Sequence, residues 1–239
     1  MIRFSIFGIP VHVQPFFWVI AAMLGGGLGA NSPHAILAVL LFVLAAFVSI
    51  LVHELGHALT GLKLGGGHAA ILLTPFGGLA MHQGTSLDRR QRFWMIAAGP
   101  GAGFAFLLLI LALLCTAFNE SDVLSVTSSV LFGTRPVFRS AELILFLAAR
   151  PLAFELLRHF IWINFWWGIL NLLPVMPLDG GHIADLLIRP QRRVYLVGTI
   201  AAGFMAAIGF LWFDSLYTAM LFGYLAWQNY QNMRARNWR

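Results

Sequence analysis

The sequence predicts an all-α polytopic membrane protein with about six transmembrane helices and a small membrane-associated β-hairpin. Of its 239 residues, 59% are hydrophobic and only 10% are charged, whereas a soluble domain carries roughly 25% charged residues. The apolar residues form runs near the roughly 20 residues that cross a bilayer, and arginines stand at the ends of these runs. This composition excludes a cytosolic globular protein, a secreted disulfide scaffold and a disordered chain. Because Cys115 is the one cysteine, no intrachain disulfide can form.

Six apolar runs define the expected spans, at about 13–30, 35–62, 93–118, 152–173, 194–212 and 215–231. The first run has an alternative interpretation as a secretory signal peptide, but its basic region consists only of Arg3, which favours a retained span. The polar segment 119–140 separates the third and fourth spans. Residues 141–150 form either an interfacial helix or an extension of the fourth span kinked at Pro151. We expect one domain over 1–239, without a PDZ or nucleotide-sensing domain.

Residues 68–83, between the second and third spans, predict a β-hairpin. The segment is apolar, but Pro75, Gly77 and Gly78 interrupt it, which disfavours a helix. Two short strands around a Pro-Phe-Gly-Gly turn agree better with this pattern. Because lipid-exposed strands cannot cross a bilayer, the hairpin must pack against protein or line a cavity.

The basic residues predict the orientation of the spans. With six spans and both termini on the inner side, eleven of the fifteen Lys and Arg residues fall inside. This positive-inside bias predicts that the termini face the cytoplasm, and the compact chain is typical of a prokaryotic cell membrane protein. The net charge of +6 therefore reflects membrane topology, and without a clustered basic face we expect no nucleic-acid partner.

The second span contains the motif His53-Glu54-Leu-Gly-His57. On a helix, positions i and i+4 differ by about 40° of rotation and 6 Å of rise, so both imidazoles leave one face and can hold one Zn²⁺. Glu54 lies about 100° round from His53, where it can act as general base on a metal-bound water. Such a motif occurs by chance on solvated helices, but ionisable groups inside an apolar span are functional candidates by default.

A catalytic zinc usually has three protein ligands and one water, and Asp179 is the best candidate for the third. It follows Pro174 and Pro177, which break the fourth span at a depth where free backbone groups are tolerated only around a cavity. One alternative is that Asp179 caps the helix 180–188. His182 is a competing ligand just past the turn.

The two motifs together resemble the site-2 protease family of intramembrane zinc metalloproteases, and above all its compact prokaryotic and sporulation-factor-processing members. The motifs are His53-Glu54-x-x-His57 and Asn171-x-x-Pro174-x-x-Pro177-Leu178-Asp179-Gly180, in this order and each in a hydrophobic span. The similarity also includes Phe7-Gly8-Ile9-Pro10, Pro75-Phe76-Gly77-Gly78 and Gly99-Pro100, so it covers most of residues 7–182.

The resemblance implies roles for individual residues. His53, His57 and Asp179 would bind one Zn²⁺ per chain, Glu54 would activate the water, and Asn171 would hydrogen-bond the scissile carbonyl or the oxyanion. The turn Pro75, Phe76, Gly77 and Gly78 matches a family hairpin that helps to receive the substrate as an added strand, and residues 2–9 are expected to join that small sheet. One departure is glycine at 101 and 103, where family members often have an asparagine; small residues at 99 and 103 suit close helix packing instead.

The expected function is hydrolysis of a peptide bond within or at the edge of a transmembrane substrate segment, that is, regulated intramembrane proteolysis. The expected partners are a single-span membrane protein as substrate, the lipid bilayer, and a membrane or soluble regulator. Two alternatives are a proteolytically inactive membrane scaffold or chaperone and a zinc transporter. A transporter predicts several polar sites in line across the membrane, whereas the sequence offers one compact cluster.

Overall fold

The computed structural model describes residues 1–211 and 215–235. The strands are β1 (Ile2–Ile6), β2 (Ile9–Val13), β3 (His68–Thr74) and β4 (Gly77–Gln83). The α-helices among the described residues are α1 (Pro15–Leu24), α2 (Pro33–Gly65), α3 (Arg89–Ala117), α4 (Glu120–Phe132), α5 (Glu142–Ala149), α6 (Pro151–Asn171), α7 (Asp179–Leu187), α8 (Gln191–Leu211) and α9 (Leu216–Ala235).

The chain divides into two compact units. The first comprises residues 1–87 and 98–168, and the second comprises residues 88–97 and the described residues from 169 onward. The first unit contains the sheet, α1, α2, α4, α5 and most of α3 and α6. The second contains α7, α8 and α9.

Three helices of the described chain are long and apolar enough to cross a membrane, namely α2, α3 and α8. They overlap the spans predicted at 35–62, 93–118 and 194–212; residue 118 follows the end of α3, and residue 212 lies outside the described residues. The protein is therefore a mostly helical multi-pass membrane protein with a small sheet. Helices α6 and α9 are 21 and 20 residues long, but polar side chains lower their hydropathy, so the number of six spans stays a prediction.

The first predicted span, 13–30, is not one continuous helix. Val13 is the last residue of β2, and the helix that follows ends at Leu24. Ten helical residues rise about 15 Å, half the roughly 30 Å of a hydrocarbon core. Gly26 has a φ of 90°, a left-handed conformation that glycine adopts without strain and that stops the helix. Hydropathy alone could not show this break, because the run is apolar on both sides of it.

The segment between the third and fourth predicted spans is more regular than the sequence indicates. The polar stretch 119–140 contains α4, whose N-cap Asn119 accepts a hydrogen bond from the Ser121 N–H. Residues 142–149 form a separate helix, α5, after which Arg150 leaves the helical conformation and Pro151 begins α6. Proline is well suited to the first turn of a helix and disfavours a helical residue before it, so α5 is not a continuation of α6.

The four strands form one sheet in the order β1-β2-β3-β4. Strand β2 pairs antiparallel with β1 and parallel with β3, while β3 and β4 form an antiparallel hairpin. This confirms the hairpin predicted at 68–83 and the participation of the N-terminal segment. Because side chains alternate along a strand, one face of the sheet is apolar and packs on α2; the buried residues of this core include Ile9, Val11, Val13, Ile71, Leu73, Ile50 and Ala58.

Helix α2 carries the histidine motif and has clear sequence signals at both ends. Ser32 is the N-cap and accepts a hydrogen bond from the Ala35 N–H, and Pro33 occupies the first helical position. The helix ends at Gly65, and Gly66 caps it with a φ of 60°. The motif lies nearer the C-terminal end, and β3 begins only three residues after the helix ends. The sheet therefore lies close to the end of α2 that carries the motif.

The second unit has its own core around the loop that joins α6 to α7. Val175 of this loop is completely buried and packs with Ala202 of α8 and with Phe222 and Leu225 of α9. The prolines of the loop prevent α6 from continuing, and α7 begins at Asp179. The loop is thus a packed segment that fixes where α7 starts.

Candidate metal centre

The two histidines of α2 face each other as the i, i+4 spacing predicts. Their Nε2 atoms are 3.2 Å apart. Two nitrogens bound tetrahedrally at about 2.0–2.1 Å from one Zn²⁺ are about 3.3 Å apart, so the pair already has the separation of two ligands. His53 is 3% exposed and His57 is half-buried. The pair is accordingly screened from bulk solvent.

Asp179 completes a group of three possible metal ligands. Its carboxylate and the ring nitrogens of His53 and His57 all lie within 4.8 Å of one another. The alternative of Asp179 as a helix cap is wrong, because Leu178 occupies the N-cap position of α7 and Asp179 the first helical position. His182, the competing ligand, is exposed and is not part of this group. Two nitrogens and one carboxylate oxygen form a donor set that suits a divalent transition metal.

Glu54 is buried, at 5% exposure, and lies next to the histidine pair on α2. Its carboxylate packs directly on the backbone of Gly78 in β4: a Cβ built on Gly78 would overlap the Cγ, Cδ and Oε1 atoms of Glu54. Only glycine permits this approach. The hairpin that the sequence associates with substrate is therefore in contact with the predicted general base.

The turn of the hairpin combines a buried and an exposed part. Gly77 is buried beside Trp167 of α6, whereas Phe76 is 87% exposed. The Thr74 hydroxyl donates to the Gly77 carbonyl at 3.0 Å and accepts a hydrogen bond from the Phe76 N–H at 3.3 Å. These two bonds fix the conformation of the turn. The predicted substrate-binding role of Pro75, Phe76, Gly77 and Gly78 remains a prediction.

Helix α3 approaches the histidines through small residues. A Cβ on Gly99 would overlap the imidazole of His57, and a Cβ on Gly56 would overlap the carbonyl oxygen of Ala98. The predicted close packing at position 99 is confirmed. At Gly103 the spacing is looser, because the nearest atom to a Cβ there is Oδ1 of Asn164 at 3.7 Å.

Two buried asparagines near these elements were missed by sequence reasoning. Asn164 on α6 is 2% exposed, and its Nδ2 donates to the hydroxyl of Ser49, one turn before His53, at 2.9 Å. Asn229 on α9 is completely buried and bonds to the backbone of the loop before Asp179. Both lie in helices with other polar residues, so the sequence holds no signal that distinguishes them. Asn171, which the sequence did single out, is the last residue of α6 and is half-buried; its role also remains a prediction.

Comparison with known proteins agrees with this architecture. Residues 41–213, well over half of the chain, match the model of peptidase family M50. The chain is 29% identical over 184 residues to stage IV sporulation protein FB of Bacillus subtilis, covering 77% of this chain and 49% of that protein. It is 27% identical over 197 residues to a zinc metalloprotease of Methanocaldococcus jannaschii, covering 82% and 47%. The chain thus spans about half the length of the curated relatives it matches.

The fold is similar to that of the site-2 protease from Methanocaldococcus jannaschii, with a TM-score of 0.55 and 22% identity over 96% of this chain and 94% of that chain. This similarity concerns the fold, whereas the family match also includes the histidine motif at 53–57 and the Asp179 loop. The resemblance inferred from the two motifs is confirmed: the chain belongs to peptidase family M50, the family of the site-2 proteases.

Proposed function

We propose that this protein is a zinc-dependent endopeptidase that hydrolyses a peptide bond within or beside a membrane-spanning segment of its substrate. The observation that carries the proposal is the pair of Nε2 atoms of His53 and His57, 3.2 Å apart in a helix that is long and apolar enough to cross a membrane. Family membership and the names of the relatives, which include a zinc metalloprotease, support the choice of reaction and metal.

The residues present suit zinc. His53, His57 and Asp179 would hold the ion, leaving a fourth position open, as catalytic zinc sites do. When bound, zinc lowers the pKa of a water and polarises the carbonyl of the scissile bond. Ligation through both Nε2 atoms leaves the ring protons on Nδ1.

Glu54 would move the protons of the reaction. Its carboxylate accepts a proton from water while the water oxygen forms a bond to the scissile carbonyl carbon. It then delivers a proton to the amide nitrogen as the carbon–nitrogen bond breaks, which releases an amine and a carboxylic acid. Asn171 would donate from Nδ2 to the carbonyl oxygen, where a fixed dipole in a dry site is most effective.

Strand β4 offers a place for the substrate backbone. It is the last strand of the sheet in the described chain, so its outer edge can pair with an added strand. A helical substrate segment does not present its carbonyls for attack and must unwind before it pairs. Because Gly78 of β4 lies against Glu54, a strand added at this edge would bring an extended peptide close to the base.

The path of the chain supports a membrane crossing before α2. Strand β2 pairs with β3, and β3 follows the C-terminal end of α2 after two residues. If α2 crosses the membrane, the segment 14–32 must cross as well, because it joins β2 to the other end of α2. We propose that α1 and the glycine-rich residues after it make this first crossing, and that α6 and α9 cross in addition to α2, α3 and α8.

The proposal also includes an orientation in the membrane and partners. We propose that both termini, the sheet and the entrance to the site lie on the cytoplasmic side of a prokaryotic cell membrane. The excess of basic residues at the ends predicted to be inside supports this orientation. We propose a single-span membrane protein as substrate. A regulator in the membrane or in the cytoplasm would control access to the site.

The test compares wild type, Glu54→Gln and the control Glu142→Gln, which changes an exposed glutamate at the start of α5. Each is expressed in cells, and fragments of single-span membrane proteins are quantified by mass spectrometry. We expect Glu54→Gln to keep its zinc but to abolish the fragments that wild type and Glu142→Gln produce, and to retain uncut substrates on purification. Undiminished fragments with Glu54→Gln would contradict the proposal and favour a scaffold; zinc flux in proteoliposomes would favour a transporter.

A further inference from the structure

The loop between α6 and α7 has backbone groups that need partners. Pro174 and Pro177 have no N–H to donate, and the loop follows directly on a helix that ends at Asn171. Within the loop the Leu178 N–H donates to the Val175 carbonyl at 2.8 Å. Met176, between the two prolines, makes its backbone hydrogen bonds elsewhere.

Asn229 of α9 supplies the partners of Met176. The Met176 N–H donates to Asn229 Oδ1 at 3.3 Å, and Asn229 Nδ2 donates to the Met176 carbonyl at 2.8 Å. The amide thus bonds to both sides of one residue, as a neighbouring strand would. Nδ2 also donates to the Leu225 carbonyl of its own helix at 2.8 Å, which fixes the rotamer. The side chain is completely buried.

Gly198 of α8 makes room for this arrangement. A Cβ at this position would lie 2.5 Å from Asn229 Oδ1 and 3.2 Å from the Pro174 carbonyl oxygen. Helix α8 therefore touches the amide and the loop at the same place. Any side chain at 198 would displace one of them.

We propose that Asn229 is a positioning residue for the metal centre, holding Met176 so that Asp179, three residues later, is kept in place as a ligand. The inference rests on the proposed function, in which Asp179 binds zinc. The loop is short, and Val175 is anchored in the core of the second unit, so a shift at Met176 is transmitted to the start of α7. His53 and His57 lie on α2, outside this loop, so the expected defect concerns one ligand of three.

The experiment uses two substitutions on different helices, each with a matched control. Asn229→Ala removes the amide, and Asn232→Ala changes an exposed asparagine of the same helix. Gly198→Ala displaces the amide without changing it, and Gly203→Ala adds a methyl group where nothing lies within 4 Å. Zinc affinity is measured on the full chain in detergent by competition with a chelator. The unfolding temperature, the hydrogen exchange of residues 172–182, and kcat and KM for a cleaved substrate are measured on the same samples.

We expect Asn229→Ala and Gly198→Ala to lose about 10–100-fold in zinc affinity, as groups that orient metal ligands do. Exchange in 172–182 should become faster and kcat should fall more than KM rises, while both controls behave as wild type. A lower unfolding temperature with unchanged zinc affinity would overturn the inference, because Asn229 would then stabilise the fold only. If Asn229→Ala does not fold, the zinc affinity of Gly198→Ala tests the positioning role of Asn229.

The same measurements separate this inference from the proposed function. A wild type that binds zinc but makes no fragments dependent on Glu54 refutes the peptidase, and the affinities still decide the role of Asn229. A wild type that makes such fragments, with affinity unchanged in both variants, refutes only the role of Asn229. A wild type that binds no zinc refutes both.

Discussion

Two regions of the first unit are stabilised by different kinds of contact, one by close packing on glycines and the other by hydrogen bonds to a carboxylate. Around the histidine motif, neighbouring elements approach through glycines: Gly78 lies against Glu54, and Gly99 lies against His57. Around α4, by contrast, a buried carboxylate holds the loop between α4 and α5 through hydrogen bonds. Asp122, with 0% exposure, accepts hydrogen bonds from the Arg139 N–H at 2.6 Å, the Ser140 N–H at 3.0 Å and the Ser140 hydroxyl at 2.7 Å.

The difference contrasts a carboxylate proposed to act in catalysis, that of Glu54, with one that holds a loop, that of Asp122. The close contacts of Glu54 and His57 with glycine are packing contacts, which fix where these groups lie by leaving no space beside them. The carboxylate of Asp122 is satisfied by three donors from one loop, so its charge is used in holding that loop. The first region should therefore be sensitive to added volume and the second to protonation.

The largest effect is expected from volume added beside a ligand, in Gly99→Ala. The new methyl group would overlap the His57 ring, so the ring or α3 must move, and a displacement of about 1 Å at a catalytic site can cost about 10²-fold in rate. We expect at least that loss in kcat/KM together with weaker zinc binding. Gly101→Ala, where a Cβ meets nothing within 4 Å, is the control on the same helix. Equal activity of the two variants would contradict the packing account.

A smaller and more selective effect is expected from Gly78→Ala. Here the three atoms nearest to the new methyl group would all belong to the side chain of Glu54, which it would overlap. We expect kcat to fall by about 10-fold to 10²-fold, less than the roughly 10²–10⁴-fold that general acid–base catalysis contributes, because the base is displaced and not removed; zinc content should stay that of wild type. Gly29→Ala, another position with nothing within 4 Å, is the control. Loss of zinc from Gly78→Ala would mean that the hairpin also supports the ligands.

The features that the sequence predicts correctly are those that depend on the spacing of residues within a short segment. The i, i+4 histidines, the proline-interrupted loop before Asp179 and the glycine-rich turn at 75–78 each carry their own spacing signal. The end of α1 at Leu24 does have a local signal, because Gly25, Gly26 and Gly27 follow it directly, but hydropathy alone extends the apolar run past these glycines. Hydropathy reports the environment of a segment and not the path of its backbone.

The missed residues act through partners far away in sequence. Asn164 reaches Ser49, 115 residues earlier, and Asn229 reaches Met176, 53 residues earlier. In the sequence each is one polar residue near others of its kind. Asp122 likewise stands beside Glu120 in a polar stretch and reads as a solvated charge, although the fold buries it. Which polar residue becomes buried depends on which helices pack together, and a local sequence pattern does not predict this.

The smallest effect concerns Asp122 and pH. The Arg139 N–H, followed by the Ser140 hydroxyl, holds the pKa of Asp122 below its usual value of 3.8. A carboxyl with a lowered folded pKa stabilises the fold fully above its unfolded pKa of about 3.9, and this contribution is lost as pH falls through the folded pKa. We therefore expect the unfolding temperature of wild type in detergent to decline below about pH 4, with a weaker decline in Asp122→Asn, which has no charge to lose.

The control is Glu120→Gln, which changes an exposed acid in the same first turn and should keep the wild-type dependence of unfolding temperature on pH. A decline of the same size in Asp122→Asn would show that other carboxylates govern acid stability.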